Sequence, residues 1–405
     1  RRRIGDWRAC VVALGYLLYA PLHGANLYHF HFLAISPAFV LWVAYAIQAE
    51  KRLLLAISLL CALSVREDIG FGIAALGAYF FLSGERPKTG LIVSVIGLVF
   101  TLVIKMLVMP NEGGGEYFVS MYAGIHPPSD PSLGGVAKTV LGNPGYLLQT
   151  LLSPERFTYV LLIFVPVLFL PLKKPMTWLL FAPGFAFTLL MGRSSMSNSL
   201  APVLISFQYT AQWTPYLFIA TVIALESLDR REATHAEDGR RTSRAALVGF
   251  AVALLLTSNQ FGAIFQQETA MAGFIPFHFK TSPQELANRE TRRRILARIP
   301  DGVPVAASDC LVPHVSGRAN AYNFSGNPFD ARYVVSEFNM PCAPNAAPIG
   351  KLLQSKEFGL IALEKPYVLL ERGAPTDRND EFFRALRRAP SPSSPQGSPS
   401  HGGRR

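Results

Sequence analysis

The sequence predicts a polytopic α-helical membrane protein with about nine transmembrane segments, followed by a small extracytoplasmic α/β module. Three observations carry that expectation. Half of the 405 residues are hydrophobic and only 16% are charged, a balance that supplies several membrane-length runs rather than one soluble core. The Lys and Arg residues behind the net charge of +11 lie in short clusters between apolar runs and at the two ends, as expected of loops retained in the cytoplasm. Beyond residue 258 the pattern changes to short strand-like stretches alternating with helical ones. This composition excludes a cytosolic enzyme. Nucleic-acid binding lacks an aromatic and basic surface pattern to support it.

The membrane region is expected over residues 1–258. The opening Arg1-Arg2-Arg3 leads into further apolar runs without a clear small-residue cleavage site, so it is not read as a secretory signal, and upstream helices are expected. The first span runs from about 10 to 21 and the second from 33 to 48, ended by Glu50-Lys51-Arg52. The third and fourth, 53–65 and 69–82, are short for a bilayer and require thinned lipid, upright packing or partial re-entry. A fifth, 90–109, is stopped by Pro110. The connection 111–155 is rich in Gly and Pro, with apolar positions near Val136, Val140, Leu147 and Leu151 suited to short interfacial helices. Spans at 157–172, 176–191, 209–225 and 245–257 follow, the last after a charged linker at 226–244.

With nine crossings, nearly every basic cluster between spans lies on one side, which is then the cytoplasm; Arg66 and Arg193 are the exceptions. The opposite side receives loops at 22–32, 65–68, 111–155 and 192–207, together with everything after the last span. Among these loops, Arg66-Glu67-Asp68 is distinctive because it places one base and two acids between two apolar runs. Charges beside hydrocarbon are costly unless they meet headgroups, pair, or face a protein-lined cavity. The turn is therefore either a topogenic hairpin or the rim of a site. Lys105, deep in an apolar run, is the other charge of this kind.

Residues 259–373 are expected to form the outward module, with a helix at 283–299, strands at 303–308, 333–336, 360–364 and 368–371, and a helix at 351–355. The tail, 374–405, has one helical stretch at 381–388 and then a Pro/Ser/Gly-rich sequence expected to be disordered. Cys10 and Cys61 read as small apolar residues of spans. Cys310 and Cys342 share the outward module, where a disulfide persists if it forms; two separate thiols are the other reading. His314 beside Cys310 has no convincing set of partners for zinc. Gly113-Gly114-Gly115 lacks the residues and setting of a phosphate loop.

The stretch Asn26-Leu27-Tyr28-His29-Phe30-His31-Phe32, the following span with Pro37, the turn Val65-Arg66-Glu67-Asp68-Ile69-Gly70 and the later Val108-Met109-Pro110 together resemble the DUF2079 family of bacterial integral membrane proteins. That family looks related to polytopic GT-C type glycosyltransferases, which draw sugar from a polyprenyl-phosphate donor on the extracytoplasmic face of the inner membrane. Their acidic first loop would precede Arg1 here. The resemblance implies that Glu67 or Asp68 deprotonates an acceptor or holds a divalent cation, with His31 as a second proton carrier. Arg66, with His29 and Arg193, would meet the donor phosphate. For His31 the competing role is loop packing, for Arg66 an ion pair with its neighbours, and for Arg193 and Lys138 a solvated surface. Expected partners are membrane lipids and the lipid-linked donor. A transporter or flippase of a lipid-linked or anionic substrate, and a non-catalytic structural membrane protein, are the alternatives.

Overall fold

Helix length decides how much of the expected membrane architecture appears. The structure, a computed structural model, describes residues 4–27, 31–109, 119–127, 129–191, 201–234, 238–266, 268–270, 274–276, 281–337 and 346–387. Two compact units divide the chain, 1–278 and 279–405. The expected module boundary at residue 258 falls inside a helix that runs on to Phe261.

In the first unit the early elements follow the apolar runs. Helix α1 (Asp6–Leu18) bends by 45° into α2 (Ala20–Leu27). The hinge residue Tyr19 is extended and buried, and its hydroxyl donates to the Ile163 carbonyl at 2.9 Å. Helices α3 (Ser36–Gln48), α4 (Arg52–Leu63) and α5 (Ile69–Leu82) follow. Helix α6 (Pro87–Val103) continues as a π-helical turn, Ile104–Val108.

The expected count of about nine spans is not supported. Among the described residues, two helices are long and apolar enough to cross a membrane, Pro87–Val108 and Thr242–Phe261, or three if the bent α1–α2 pair is one span. The 12 to 14 residues of α3, α4 and α5 reach only about 18–21 Å, short of a hydrocarbon core of about 30 Å. The expected spans at 157–172 and 176–191 are overturned in detail. Helix α9 (Pro154–Phe164), which follows α7 (Leu133–Gly142) and α8 (Pro144–Leu151) of the long connection, gives way to 3₁₀ turns at Leu170–Lys173 and Pro175–Phe181 and a π turn at Phe185–Leu189. Pro166, Pro171, Pro175 and Pro183 are the cause, since each removes a backbone donor and obstructs the preceding turn. The expected charged linker at 226–244 is instead largely helical, divided between α10 (Thr214–Thr234) and α11 (Asp238–Phe261). Its Ala, Glu and Arg residues are good helix formers.

Glycine sets the closest helix pairing in this unit. A Cβ on Gly97 would lie 2.5 Å from the Gly70 carbonyl oxygen and 2.6 Å from the Ala74 nitrogen. One on Gly90 would lie 2.5 Å from the Phe81 nitrogen and 2.7 Å from the Gly77 oxygen. Helices α5 and α6 therefore meet backbone to backbone, the arrangement small residues permit between apolar helices. The Ser94 hydroxyl donates across the seam to the Ala74 carbonyl at 3.0 Å.

The second unit is a small α/β module. Its five-stranded sheet has spatial order β4-β3-β5-β7-β6, formed by β3 (Val305–Ala307), β4 (Ala321–Asn323), β5 (Tyr333–Glu337), β6 (Phe358–Glu364) and β7 (Tyr367–Arg372). Strand β3 lies parallel to β4 and β5, while β7 is antiparallel to β5 and β6. Alternate side chains serve two cores. Val305, Ala307, Val335 and Leu369 pack with Ile295, Leu311 and Val315, whereas Ala306, Val334 and Leu370 pack with Ile349, Leu353 and Phe382. The first helix of the module, α12 (Pro283–Leu296), starts with a capping box between Ser282 and Glu285. The expected helices near 351–355 and 381–388 are Ala347–Gln354 and Asn379–Arg387. The sequence gives no sign of the three-residue β4, nor, in the first unit, of the hairpin of β1 (Glu268–Ala270) with β2 (Phe274–Pro276); strands this short carry too little alternation to detect. The tail from 390 lies outside the described residues.

The seam predicts a steep response to added volume. Gly97→Val and Gly90→Val should each destabilise the first unit by about 1–3 kcal/mol, read as unfolding midpoints of the detergent-solubilised protein. Unchanged midpoints would mean that α5 and α6 are not in contact.

Candidate functional site

The charged turn is built by helix termination. Helix α4 stops at Leu63, where the Ser64 amide and hydroxyl both donate to the Leu60 carbonyl, and α5 restarts at Ile69. Asp68 stands at the N-cap of α5, a place where a carboxylate ordinarily accepts from the helix's own amides. It makes no such bond. Arg66 Nε donates to Asp68 Oδ1 at 2.9 Å, a second guanidinium nitrogen pairs with Oδ2, and Gln212 Nε2 also donates to Oδ2 at 2.9 Å. Asp68 is only 1% exposed, so these donors replace water around its charge. Gln212 Oε1 and the nearby Tyr216 hydroxyl, both buried, accept and donate no hydrogen bond among the described residues.

The neighbouring acid is placed differently. Glu67 Oε1 accepts from Lys105 Nζ at 3.1 Å, and its side chain keeps 29% of its surface accessible. Lys105 is carried by the π-helical turn that ends α6, and the glycine seam brings that end of α6 beside the start of α5. Arg66 and Tyr209 form a cation–π contact, with the guanidinium carbon 4.9 Å from the ring centroid.

These side chains rim a cavity of about 210 Å³. Arg66, Glu67 and Asp68 supply its polar edge; Tyr209, Phe187 and three methionines, Met109, Met121 and Met191, supply the remainder. Thioether walls are adaptable apolar surfaces. The arrangement offers an accessible carboxylate and a guanidinium on the edge of an apolar chamber.

A family model described as a predicted membrane protein, DUF2079, matches residues 2–340. The chain belongs to that family. No curated protein and no solved structure matches it.

In this DUF2079 member the sequence-selected residues separate. Arg66, Glu67 and Asp68 converge on the cavity. His31 is half-buried, its carbonyl accepts the Ala34 amide at the start of a 3₁₀ turn, and it does not line the cavity. His29 and Arg193 lie outside the described residues. Lys138 is exposed and pairs with Asp130 Oδ2 at 2.7 Å. Gln212 and Tyr209 were missed. Their signal is the pair Gln208 and Gln212 inside an otherwise apolar approach to a helix, since polar groups there need a reason.

The donor set does not fit a divalent cation: Asp68 and Glu67 already accept from Arg66, Gln212 and Lys105, and no group of three or more His, Cys, Asp or Glu forms among the described residues. In the second unit Cys310 is disulfide-bonded, Cys10 and Cys61 of the first are free, and Cys342 lies outside the described residues. Burial pushes the Glu337 carboxyl above its usual range against the opposing pull of Arg292, and burial with the same Arg292 holds His314 below its own.

The two acids should respond differently to neutralisation. Asp68→Asn leaves Arg66 without its carboxylate in a buried setting and should cost about 3 kcal/mol. Glu67→Gln loosens a partly exposed pair and should cost about 1 kcal/mol or less. Denaturation midpoints of the two variants check this; equal losses would contradict the assigned environments.

Proposed function

We propose that this protein is a membrane transferase moving sugar from a polyprenyl-phosphate donor to an acceptor hydroxyl on the extracytoplasmic face of a bacterial inner membrane. The observation that supports this best is an accessible carboxylate, Glu67, beside the Arg66 guanidinium on the edge of an apolar cavity. An isoprenoid substrate presents the matching combination of apolar chain and anionic head.

In this reading Glu67 takes the proton of the acceptor hydroxyl as its oxygen bonds the sugar's anomeric carbon. The bond from that carbon to the phosphate oxygen breaks, and polyprenyl phosphate leaves with the electron pair. Arg66 and Lys105 offset the charge that develops on the leaving group. Asp68 holds Arg66 and Gln212 in place rather than reacting, because its oxygens are committed to them. His31, His29 and Arg193 remain candidates for loop contacts to donor or acceptor. The experiment is turnover of labelled polyprenyl-phosphate sugars by the reconstituted protein. Glu67→Gln should fold and lose about 100-fold or more in turnover, whereas Arg66→Lys should weaken donor binding by removing the planar fork. Full turnover by Glu67→Gln would refute the assignment.

A transporter of the same lipid-linked substrate is the second reading, favoured by Lys105 on a π-helical turn within a membrane-length helix. It is distinguished by movement of labelled lipid across vesicles without covalent change.

The outward placement of the module and the pairing of Cys310 with Cys342 belong to the same proposal, because a disulfide persists outside the reducing cytoplasm. Non-reducing peptide mapping under thiol-blocking conditions should recover the two cysteines in one linked peptide. Two separately alkylated peptides would reject the pairing.

A further inference from the structure

Arg156, in the first turn of α9, is 7% exposed. Its guanidinium makes four hydrogen bonds: Nε donates to the Leu189 carbonyl at 2.8 Å, one terminal nitrogen to the Met191 carbonyl at 2.8 Å, and the other to the Thr150 carbonyl and the Ser153 hydroxyl, both at 3.2 Å. Every acceptor is neutral. Among the described residues no carboxylate bonds Arg156, and its chain neighbour Glu155 is exposed, where solvent screens it. Carbonyl dipoles satisfy the donors but leave the unit charge in place.

That charge stands directly behind the cavity. Met191, whose carbonyl Arg156 holds, lines the cavity, and so does Phe187 from the adjoining π turn. Among the described residues at the cavity edge, Arg66 pairs with Asp68 and Lys105 with Glu67. Behind that edge Arg156, whose hydrogen-bond acceptors are all neutral, holds the backbone of the cavity-lining Met191. In an apolar surrounding its field persists over distances that water would screen.

We infer that Arg156 determines the charge preference of the cavity, acting through space by its charge, so that an isoprenoid monophosphate binds in preference to the uncharged isoprenol of equal length. This rests on the proposed reading of the cavity as a lipid-phosphate site. Arg156 is a positioning and field-setting residue rather than a catalytic one.

The test is binding of a long-chain isoprenyl monophosphate and the matching isoprenol to the full chain in lipid nanodiscs, for the unaltered protein and for Arg156→Lys, Arg156→Gln and Arg156→Met. The unaltered protein should prefer the phosphate by about 10-fold or more. Arg156→Lys, which keeps the charge, should retain most of that preference. Arg156→Gln and Arg156→Met should each lose at least about 5-fold of it with isoprenol binding unchanged. If neutral and charged variants weaken both lipids alike, Arg156 is a clamp on the wall and the inference is overturned. Equal binding of phosphate and isoprenol by the unaltered protein overturns it without any variant, even if the neutral variants fail to fold, and leaves the lipid-binding reading standing. Binding of neither lipid rejects that reading and the inference with it.

Discussion

The buried carboxylate of Asp68 is the constraint on which the first unit's site depends. Once α4 ends and α5 begins within a few residues, Asp68 loses water and needs donors from elsewhere. Arg66 supplies a fork from the same turn, and Gln212 supplies an amide from a segment 144 residues away in sequence. One ionised group thereby ties the turn to the approach of α10. The ordinary N-cap bonding of an Asp is given up for this purpose, while each carboxylate oxygen stays occupied by a side-chain donor.

The glycine seam then explains why Glu67 is not left in the same condition. Backbone contact between α5 and α6 places the π turn of α6 beside the start of α5, so Lys105 meets Glu67. A π turn widens the helix by one residue and re-aims the side chains that follow; here those include Met109, which reaches the cavity. Adjacent acids in one turn thus receive unlike environments, Asp68 enclosed and Glu67 partly open. The proposed chemistry needs that difference, since a carboxylate already saturated by donors is a poor base and a fully solvated one is poorly positioned.

The wall opposite the turn is held by another economy of charge. Proline-broken segments between α9 and α10 cannot satisfy all their own carbonyls, and Arg156 serves two such oxygens, of Leu189 and Met191, while also bonding the Thr150 carbonyl of α8. A guanidinium is suited to this because it carries five donors in a plane. Its charge is the remainder that carbonyls cannot remove, and the electrical bias inferred from it adds to the phosphate contacts proposed for Arg66.

By itself the sequence determined the membrane class, the approximate extents of α3, α4 and α5, most of the strands and helices of the second unit, and the Arg66-Glu67-Asp68 turn as a place where charge meets hydrocarbon. These follow from local quantities: apolar run length, periodicity and the cost of an isolated charge. Tertiary structure alone decided which acid is buried, that Gln212 and Lys105 are their partners, and that His31 stands away from the cavity. The break-up of the apolar stretch 165–191, by contrast, has a local cause, since four prolines interrupt the helical hydrogen bonds where hydropathy suggested spans. The physical reason is range. Hydropathy and helix propensity act over a few turns, whereas the partners of a buried charge are selected by whichever segments pack against it, and no spacing in the chain records that choice.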